Sequence, residues 1–151
     1  MPDSFISVKV KKVNSNSVAL PAYATAASAG VDLCADLKEL LIVNPGEYVK
    51  IPTGLAIELP NSQIVGLVFA RSGLASRFGV GLTNGVGVID SDYRGEIQVL
   101  VQNLGSQPVT IKPGERIAQM LFMPVFHALF EEVTELEDTP RGTGGFGSTG
   151  M

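Results

Sequence analysis

The feature that most limits the fold of this chain is a series of short apolar–polar alternations separated by Pro-Gly turns. Apolar residues occupy alternate positions near residues 6–10, 55–59 and 97–101. That period places the apolar side chains on one face of a strand. The sequences "NPGE" at 44–47 and "KPGE" at 112–115 fit type II turns, because proline fixes φ and the next glycine tolerates a positive φ. Many short strands with frequent turns predict an all-β domain, as a sandwich, barrel or jelly roll.

Two segments carry weaker signals. The sequence "SGLASRFG" at 72–79 predicts two turns of helix, with Ser72 as the N-cap and Gly79 as the terminator. The sequence "HALFEEVTELE" at 127–137 is compatible with a helix by composition. We favour a strand there because the apolar run "RIAQMLFMPVF" leads directly into it.

The end of the chain differs from the rest. Hydrophobic residues make up 45% of the 151 residues, which is enough to bury the core of one domain. The segment after Glu137, "DTPRGTGGFGSTGM", has almost nothing to bury. We therefore predict one β domain at 1–137 and a flexible arm at 138–151.

Charge and composition argue against several classes of function. Eleven basic and fifteen acidic residues give a net charge of −4, which disfavours a protein that wraps nucleic acid by bulk charge. Cys34 is the single cysteine, so the sequence can form no intrachain disulfide. His127 is the single histidine, which disfavours a histidine metal site. No neighbour of Cys34 in the sequence would activate its thiol, so we expect it to be inert. The start has no apolar signal region, and no later run has the length of a membrane span. A cytoplasmic protein without nucleic-acid or membrane partners is expected.

Two stretches are candidates for binding or chemistry. In "ARSGLASRFG" at 70–79, Arg71 stands where an apolar run meets the predicted helix, and a guanidinium beside free backbone N–H groups suits an anion. In "GLTNGVGVIDSDYRGEI" at 81–97, Asp90 follows an apolar run. There desolvation would raise the pKa of a general base toward neutrality. Taken alone, each stretch fits a simpler interpretation: a capped surface helix for the first, and a turn with a half-buried Tyr93 for the second.

Three further stretches carry isolated functional groups. Asp32, in "AGVDLCADL", alternates with apolar neighbours and on its own suggests a solvated carboxylate. Gln119, in "PGERIAQM", lies within an apolar run, so it needs backbone or ligand partners. The sequence "RGTGGFGSTG" at 141–150 has Ser148 where a P-loop has lysine, and no helix follows. Its Arg141 and the ring of Phe146 instead predict a flap that closes over a charged, flat ligand.

In this order, five stretches resemble the five motifs of the trimeric deoxyuridine triphosphate nucleotidohydrolases (dUTPases). They are "AGVDLCA", "ARSGLA", "GLTNGVGVIDSDYRGEI", "PGERIAQM" and "RGTGGFGSTG", and they span residues 29 to 150. The resemblance implies a jelly-roll subunit and a homotrimer with active sites shared between subunits. It also implies hydrolysis of dUTP to dUMP and pyrophosphate with Mg²⁺. That activity keeps uracil out of DNA and supplies dUMP for thymidylate synthesis.

The resemblance also assigns roles to individual residues. Asp90 would activate the water that attacks the α-phosphorus, and Tyr93 would lie against the deoxyribose and exclude a 2′-hydroxyl. Asp32 would act at most through a metal-bound water, with no direct protein ligand to the metal. The remaining matches are Asn84, Val88, Ile89 and Gln98 near uracil, Arg71, Ser72, Gly73 and Gln119 at the phosphates, and Arg141, Phe146, Gly147, Ser148 and Thr149 in the arm, with Phe146 over the base.

One departure from the family pattern and three competing functions accompany the resemblance. The family often has proline before the arginine of the second motif, where this chain has Ala70. A dCTP deaminase of the same fold would need a glutamate in the hairpin, for which Glu96 is the nearby candidate. The second competing function is that of a bifunctional deaminase and hydrolase, and the third is that of a non-catalytic nucleotide-binding module. The "DSDYRG" sequence and the phenylalanine in the arm favour the hydrolase.

Overall fold

The computed structural model describes residues 5–14 and 18–145. Within these residues the chain forms eleven strands and one short helix. In chain order they are β1 (Lys9–Lys12), β2 (Val31–Cys34), β3 (Leu41–Val43), β4 (Tyr48–Pro52), β5 (Leu55–Glu58), β6 (Ile64–Ala70), α1 (Ser72–Phe78), β7 (Val80–Leu82), β8 (Gly87–Ile89), β9 (Gln98–Asn103), β10 (Val109–Ile111) and β11 (Arg116–Pro124). The predicted all-β, jelly-roll-like class is confirmed.

All the strand pairs are antiparallel, and the largest sheet determines where the functional residues lie. Its strand order is β2-β11-β6-β8, while β4-β9-β7 forms a second sheet and β1-β5 and β10-β3 form two-stranded pairs. On β11, Gln119 lies opposite Asp32 of β2 and Phe69 of β6. On the other side of β6, Val68 lies opposite Gly87 of β8. The four-stranded sheet therefore carries parts of the first four motifs.

The core follows the predicted alternation most clearly in β9. Val99, Val101 and Asn103 are buried, whereas Gln98 at the start of the strand is exposed. The Asn103 amide is satisfied: Nδ2 donates to the carbonyl oxygens of Val43 and Gln107 at 2.9 and 2.8 Å. A buried amide of this kind is tolerated only because its partners replace water.

Both predicted Pro-Gly turns are confirmed. Gly46 and Gly114 have φ values of 78° and 75°, in the region that favours glycine. In each turn the glutamate at the fourth position accepts a bond from the backbone N–H of the first residue, at 2.8 Å for both Glu47 and Glu115. The glutamate of "PGE" thus closes the turn, a role that the turn pattern did not predict.

The predicted helix is present, but its N-cap is wrong. Arg71 is the N-cap, with extended dihedral angles of −89° and 129°, and Ser72 is the first helical residue without a side-chain cap. The reason is that the extended backbone of β6 continues to Arg71, whose carbonyl oxygen accepts bonds from Leu74 and Ala75 at 3.1 and 3.0 Å. Gly79 ends the helix as predicted, with φ 68°. Within the described residues, no helix has the length and apolar character needed to cross a membrane.

The strand predicted at 127–137 is wrong. This segment lies within the described residues and forms neither strand nor helix. A strand needs a partner, and no strand of the described chain pairs with this segment; the bond from Val125 N–H to the Gln63 carbonyl oxygen at 2.9 Å lies before it. Its apolar side chains face solvent, and Leu129 and Phe130 are 100% and 97% exposed.

Candidate active site

A polar cleft lies where β2, β6 and β11 meet the start of α1. Four residues predicted to bind phosphate line it: Arg71, Ser72, Gly73 and Gln119. Asp32 and Arg116 line it as well. We call it the anion cleft. A Cβ atom at Gly73 would meet nothing within 4 Å, so the backbone at the start of α1 is open to a ligand.

The charges of the anion cleft are organised around Asp32. Its Oδ1 lies 2.9 Å from Arg71 Nε, and its Oδ2 lies 3.2 Å from Arg116 Nη1. The interpretation of Asp32 as a solvated carboxylate is therefore wrong, since it pairs with two guanidinium groups. One carboxylate between two arginines leaves a net positive charge in the cleft and fixes the direction of both guanidinium planes.

Arg116 is the residue of the anion cleft that sequence reasoning missed. It lies in the fourth motif but 84 residues from Asp32 in the chain. The two meet because β11 pairs with β2, where Arg116 is opposite Cys34. An arginine at the start of an alternating run was the available signal, and it did not reveal the partner strand.

Gln119 finds a backbone partner. Its Nε2 donates to the carbonyl oxygen of Ala70 at 3.0 Å, immediately before Arg71. Ala70 is also paired with Ala118 across the sheet. These contacts hold the backbone at the position where many relatives are expected to have proline, so alanine there is supported by the neighbouring strand.

Cys34 lies beside the same carboxylate. Burial first, and the Asp32 charge second, raise the pKa of the Cys34 thiol, and the nearby Arg116 and Arg71 only partly oppose this. The thiolate is therefore disfavoured near neutral pH. This agrees with the expectation of an inert cysteine.

A second cleft lies between β6, β8 and β9, and we call it the hairpin cleft. Its volume is about 240 Å³. Apolar side chains, including Val68 and Val99, form its inner part. Its lining includes the predicted catalytic aspartate, the residues of the third motif predicted to contact the base or the sugar, and Gln98 on the strand that follows: Asn84, Val88, Ile89, Asp90, Tyr93 and Gln98.

The hairpin that follows Asp90 is held by its own polar groups. Tyr93 N–H donates to the Asp90 carbonyl oxygen at 3.1 Å, and Arg94 Nη1 donates to the Ser91 carbonyl oxygen at 2.8 Å. The Tyr93 hydroxyl donates to the Glu96 carbonyl oxygen at 3.0 Å. The turn between the aspartate and the tyrosine is therefore ordered without a ligand.

Glu96 ties this hairpin to the body of the domain. Its Oε1 accepts a bond from Gly54 N–H at 2.8 Å, and its Oε2 accepts one from Gln98 Nε2 at 3.4 Å. Both carboxylate oxygens are thus engaged within the protein. Sequence reasoning considered Glu96 only as a catalytic group and missed this anchoring role.

Asp90 is exposed to solvent at the rim of the hairpin cleft. The described chain therefore does not itself supply the desolvation that was expected around this carboxylate. Val88 and Tyr93 on the same rim are also largely exposed, Tyr93 by 44%. The rim is open to a covering group from outside the described part of the chain.

The arm residues are placed only in part. The Arg141 side chain donates from Nε to the Gly144 carbonyl oxygen at 3.0 Å, in a local turn, and it lines neither cleft. The remaining arm residues predicted to contact substrate lie outside the described residues: Phe146, Gly147, Ser148 and Thr149. In the described part of the chain, no group of three or more His, Cys, Asp or Glu side chains is arranged to hold a metal ion.

An apolar cleft with an aspartate at its rim and an arginine-lined cleft, both bordered by β6 of an all-β domain, suit the base and the phosphates of a nucleotide. The family model for dUTPase matches residues 16–150, and the chain belongs to that family. The prediction of a hydrolase of this family is thereby confirmed.

Curated relatives agree over nearly the full length. The deoxyuridine 5′-triphosphate nucleotidohydrolase of Desulfitobacterium hafniense (strain DSM 10664 / DCB-2) is 58% identical, with 97% of each chain covered. The enzyme of the same name from Neisseria gonorrhoeae (strain NCCP11945) is 53% identical, with 87% of each chain covered.

Solved structures show the same fold. The dUTPase of Staphylococcus bacteriophage 80alpha, as a mutant with dUpNHpp, has a TM-score of 0.81 at 25% identity and covers 96% of this chain and 99% of its own. A second mutant of that phage enzyme has a TM-score of 0.83 at 26% identity and covers 98% and 99%.

Proposed function

We propose that this protein hydrolyses dUTP to dUMP and pyrophosphate, with the water activated by Asp90 and with Mg²⁺ bound to the triphosphate. The observation that carries the proposal is the hairpin cleft, which brings Asn84, Tyr93 and Gln98 together around an apolar interior with Asp90 at its rim. The family match and the names of the relatives support dUTP as the substrate. In the cell, the reaction would keep uracil out of DNA and supply dUMP for thymidylate synthesis, in the cytoplasm.

The base is recognised by the edge of β8. This strand pairs with β6 on one side and is the last strand of the described sheet on the other. Backbone N–H and C=O groups on such an edge are free to bond a planar ligand. Uracil presents alternating acceptors and a donor, which suits the backbone at Val88 and Ile89, with the Asn84 and Gln98 amides beside it.

The reaction itself needs one proton acceptor. Asp90 follows directly after β8 and takes a proton from water as the water oxygen bonds to the α-phosphorus. The bond from that phosphorus to the bridging oxygen breaks, and pyrophosphate leaves with the electron pair. Because such displacements depend mainly on positioning and on stabilising charge, one base with several clamps is sufficient.

The phosphates are held by the anion cleft. Arg71 supplies a guanidinium already oriented by Asp32 at 2.9 Å, and Ser72 and Gly73 offer the N–H groups of the first turn of α1, which have no partner within a helix. Magnesium bound to the triphosphate would offset part of its charge. Asp32 fits a contact to that ion through water, since it lines the same cleft and its side chain is 22% exposed.

A comparison of four nucleoside triphosphates as substrates tests this function directly. With Mg²⁺ present, pyrophosphate release is expected from dUTP and at far lower rates from dTTP, dCTP and UTP. Cytosine would leave groups that pair with uracil unpaired, the 2′-hydroxyl of UTP would meet Tyr93, and the 5-methyl group of dTTP would need extra room beside the base. The measurement is initial pyrophosphate release for each nucleotide at equal concentration. Equal release from all of them, or none from dUTP, would contradict the proposal.

The competing deaminase function is weakened by Glu96. A glutamate acting at C4 of cytosine needs a carboxylate available to the base, whereas both oxygens of Glu96 bond to Gly54 and Gln98. Ammonia release from dCTP, measured beside the pyrophosphate assay, decides this point. A non-catalytic nucleotide-binding module needs no proton acceptor, so Asp90 at the rim of the hairpin cleft argues against that function.

We also propose a homotrimer in which the arm of one subunit closes the site of another. The support is the segment at 126–137, whose apolar side chains are exposed in the single chain, Leu129 and Phe130 almost completely. A run of exposed apolar side chains of this kind indicates an interaction surface. A neighbouring subunit would also cover the open rim at Asp90.

Changing Leu129 and Phe130 together to glutamate is expected to break the trimer into monomers at micromolar concentration. Two charges would have to be buried where two apolar side chains were. The measurement is molar mass by light scattering on a sizing column. The control is Glu131→Gln with Glu132→Gln, which alters charge in the same exposed segment and should leave the mass unchanged. A monomeric wild type, or a trimeric double glutamate variant, would refute the assignment.

A further inference from the structure

Gly95 comes two residues after Tyr93, which lines the hairpin cleft, and we propose that Gly95 is a positioning residue that sets the Tyr93 ring against the sugar. It would thereby control discrimination between deoxyribose and ribose. The inference rests on the proposed function, since it concerns how that site selects its sugar.

No side chain fits at Gly95 while Tyr93 keeps its place. A Cβ atom built there would lie 2.5 Å from Tyr93 Cζ and 2.9 Å from Cε2, and closer still to Oη. These three nearest atoms all belong to Tyr93. The ring therefore packs directly on the glycine Cα.

Backbone strain does not explain this glycine. Gly95 is not among the glycines with a positive φ, so an L-residue would be acceptable to its backbone. Gly85, in the same segment, is the opposite case, with φ +68° and nothing within 4 Å of a built Cβ. Gly85 is therefore required by the backbone conformation of a turn, whereas Gly95 is required because the Tyr93 ring occupies the space of a side chain.

The packing on Gly95 and one hydrogen bond together fix the position of the Tyr93 ring. The Tyr93 hydroxyl donates to the Glu96 carbonyl oxygen at 3.0 Å, one residue beyond the glycine, so the ring folds back across the hairpin. Glu96 is in turn held by Gly54 N–H at 2.8 Å. A methyl group at Gly95 would push the ring off this bond and away from the position where it blocks a 2′-hydroxyl.

The test is the ratio of kcat/KM for dUTP to that for UTP. Gly95→Ala is expected to lower this ratio about tenfold or more, the scale of losing one steric contact in a pocket. Gly81→Ala is the matched control, because its built Cβ meets only the end of the Leu104 side chain at 3.3 Å. That control should keep the wild-type ratio.

A double-mutant cycle separates positioning from a general structural effect. In a Tyr93→Ala background, Gly95→Ala should cause no further fall in the ratio, because the ring through which it acts is gone. A further fall in that background, or an unchanged ratio with Tyr93 present, would overturn the proposal. If Gly95→Ala lowers the melting temperature too far for assay, Tyr93→Phe removes only the hydroxyl bond. Because the packing on Gly95 remains in that variant, it should keep more of the ratio than Tyr93→Ala, and a loss as large as that of Tyr93→Ala would overturn the proposal. A wild type without dUTP turnover would instead defeat the proposed function itself.

Discussion

Asp90→Asn is expected to reduce kcat for dUTP by about 10²–10⁴-fold, the range that a positioned general base contributes. Asparagine has nearly the same shape, so it keeps the rim of the hairpin cleft while losing the ability to take a proton from water. Binding of the non-hydrolysable analogue dUpNHpp should remain close to that of the wild type. The measurements are single-turnover hydrolysis and calorimetric binding of the analogue.

Asp92→Asn is the matched control for this prediction. Asp92 is an exposed carboxylate two residues away, and it does not line the hairpin cleft. We expect it to retain most of the wild-type rate. If Asp90→Asn hydrolysed dUTP at near the wild-type rate, another group would be the base, and the assignment of Asp90 would be wrong.

Deleting residues 140–151 should lower turnover by about 10²-fold or more, the cost expected when a site is left open and its reacting groups are poorly positioned. The deletion removes Arg141 and Phe146, predicted to meet phosphate and uracil. Folding should be preserved, because the core consists of strands that end at Pro124. Pyrophosphate release, thermal unfolding and light scattering are to be measured on one preparation.

Phe146→Ala separates the contributions within the arm. It should weaken turnover less than the deletion, since the ring is lost while the phosphate contacts of the arm remain. A deletion product that is unfolded or monomeric would show that the arm belongs to the core or to the trimer contact. A deletion product with full activity would show that the arm does not contribute to catalysis.

The sheet register explains why part of the candidate site escaped prediction. Arg71 was found because it stands at a local change from strand to helix, and its neighbours in sequence are enough to reveal that change. Arg116 was not found, since its partner Asp32 is 84 residues away and no local pattern specifies that β11 lies between β2 and β6. The strand predicted at 127–137 failed for the related reason that its apolar side chains have no partner in the described chain.

The sequence by itself determined the strand period, the two Pro-Gly turns, the helix ended by Gly79, and the five ordered motifs that indicate the family. Each depends on residues within a few positions of one another, where backbone preference and side-chain period act. The tertiary structure alone decided that Asp32 links two arginines, that Gln119 holds the Ala70 carbonyl, that Glu96 anchors the hairpin, and that Tyr93 packs on Gly95. These contacts are set by how strands and loops pack, and a distance of a few tenths of an ångström decides whether a side chain or only a hydrogen atom fits.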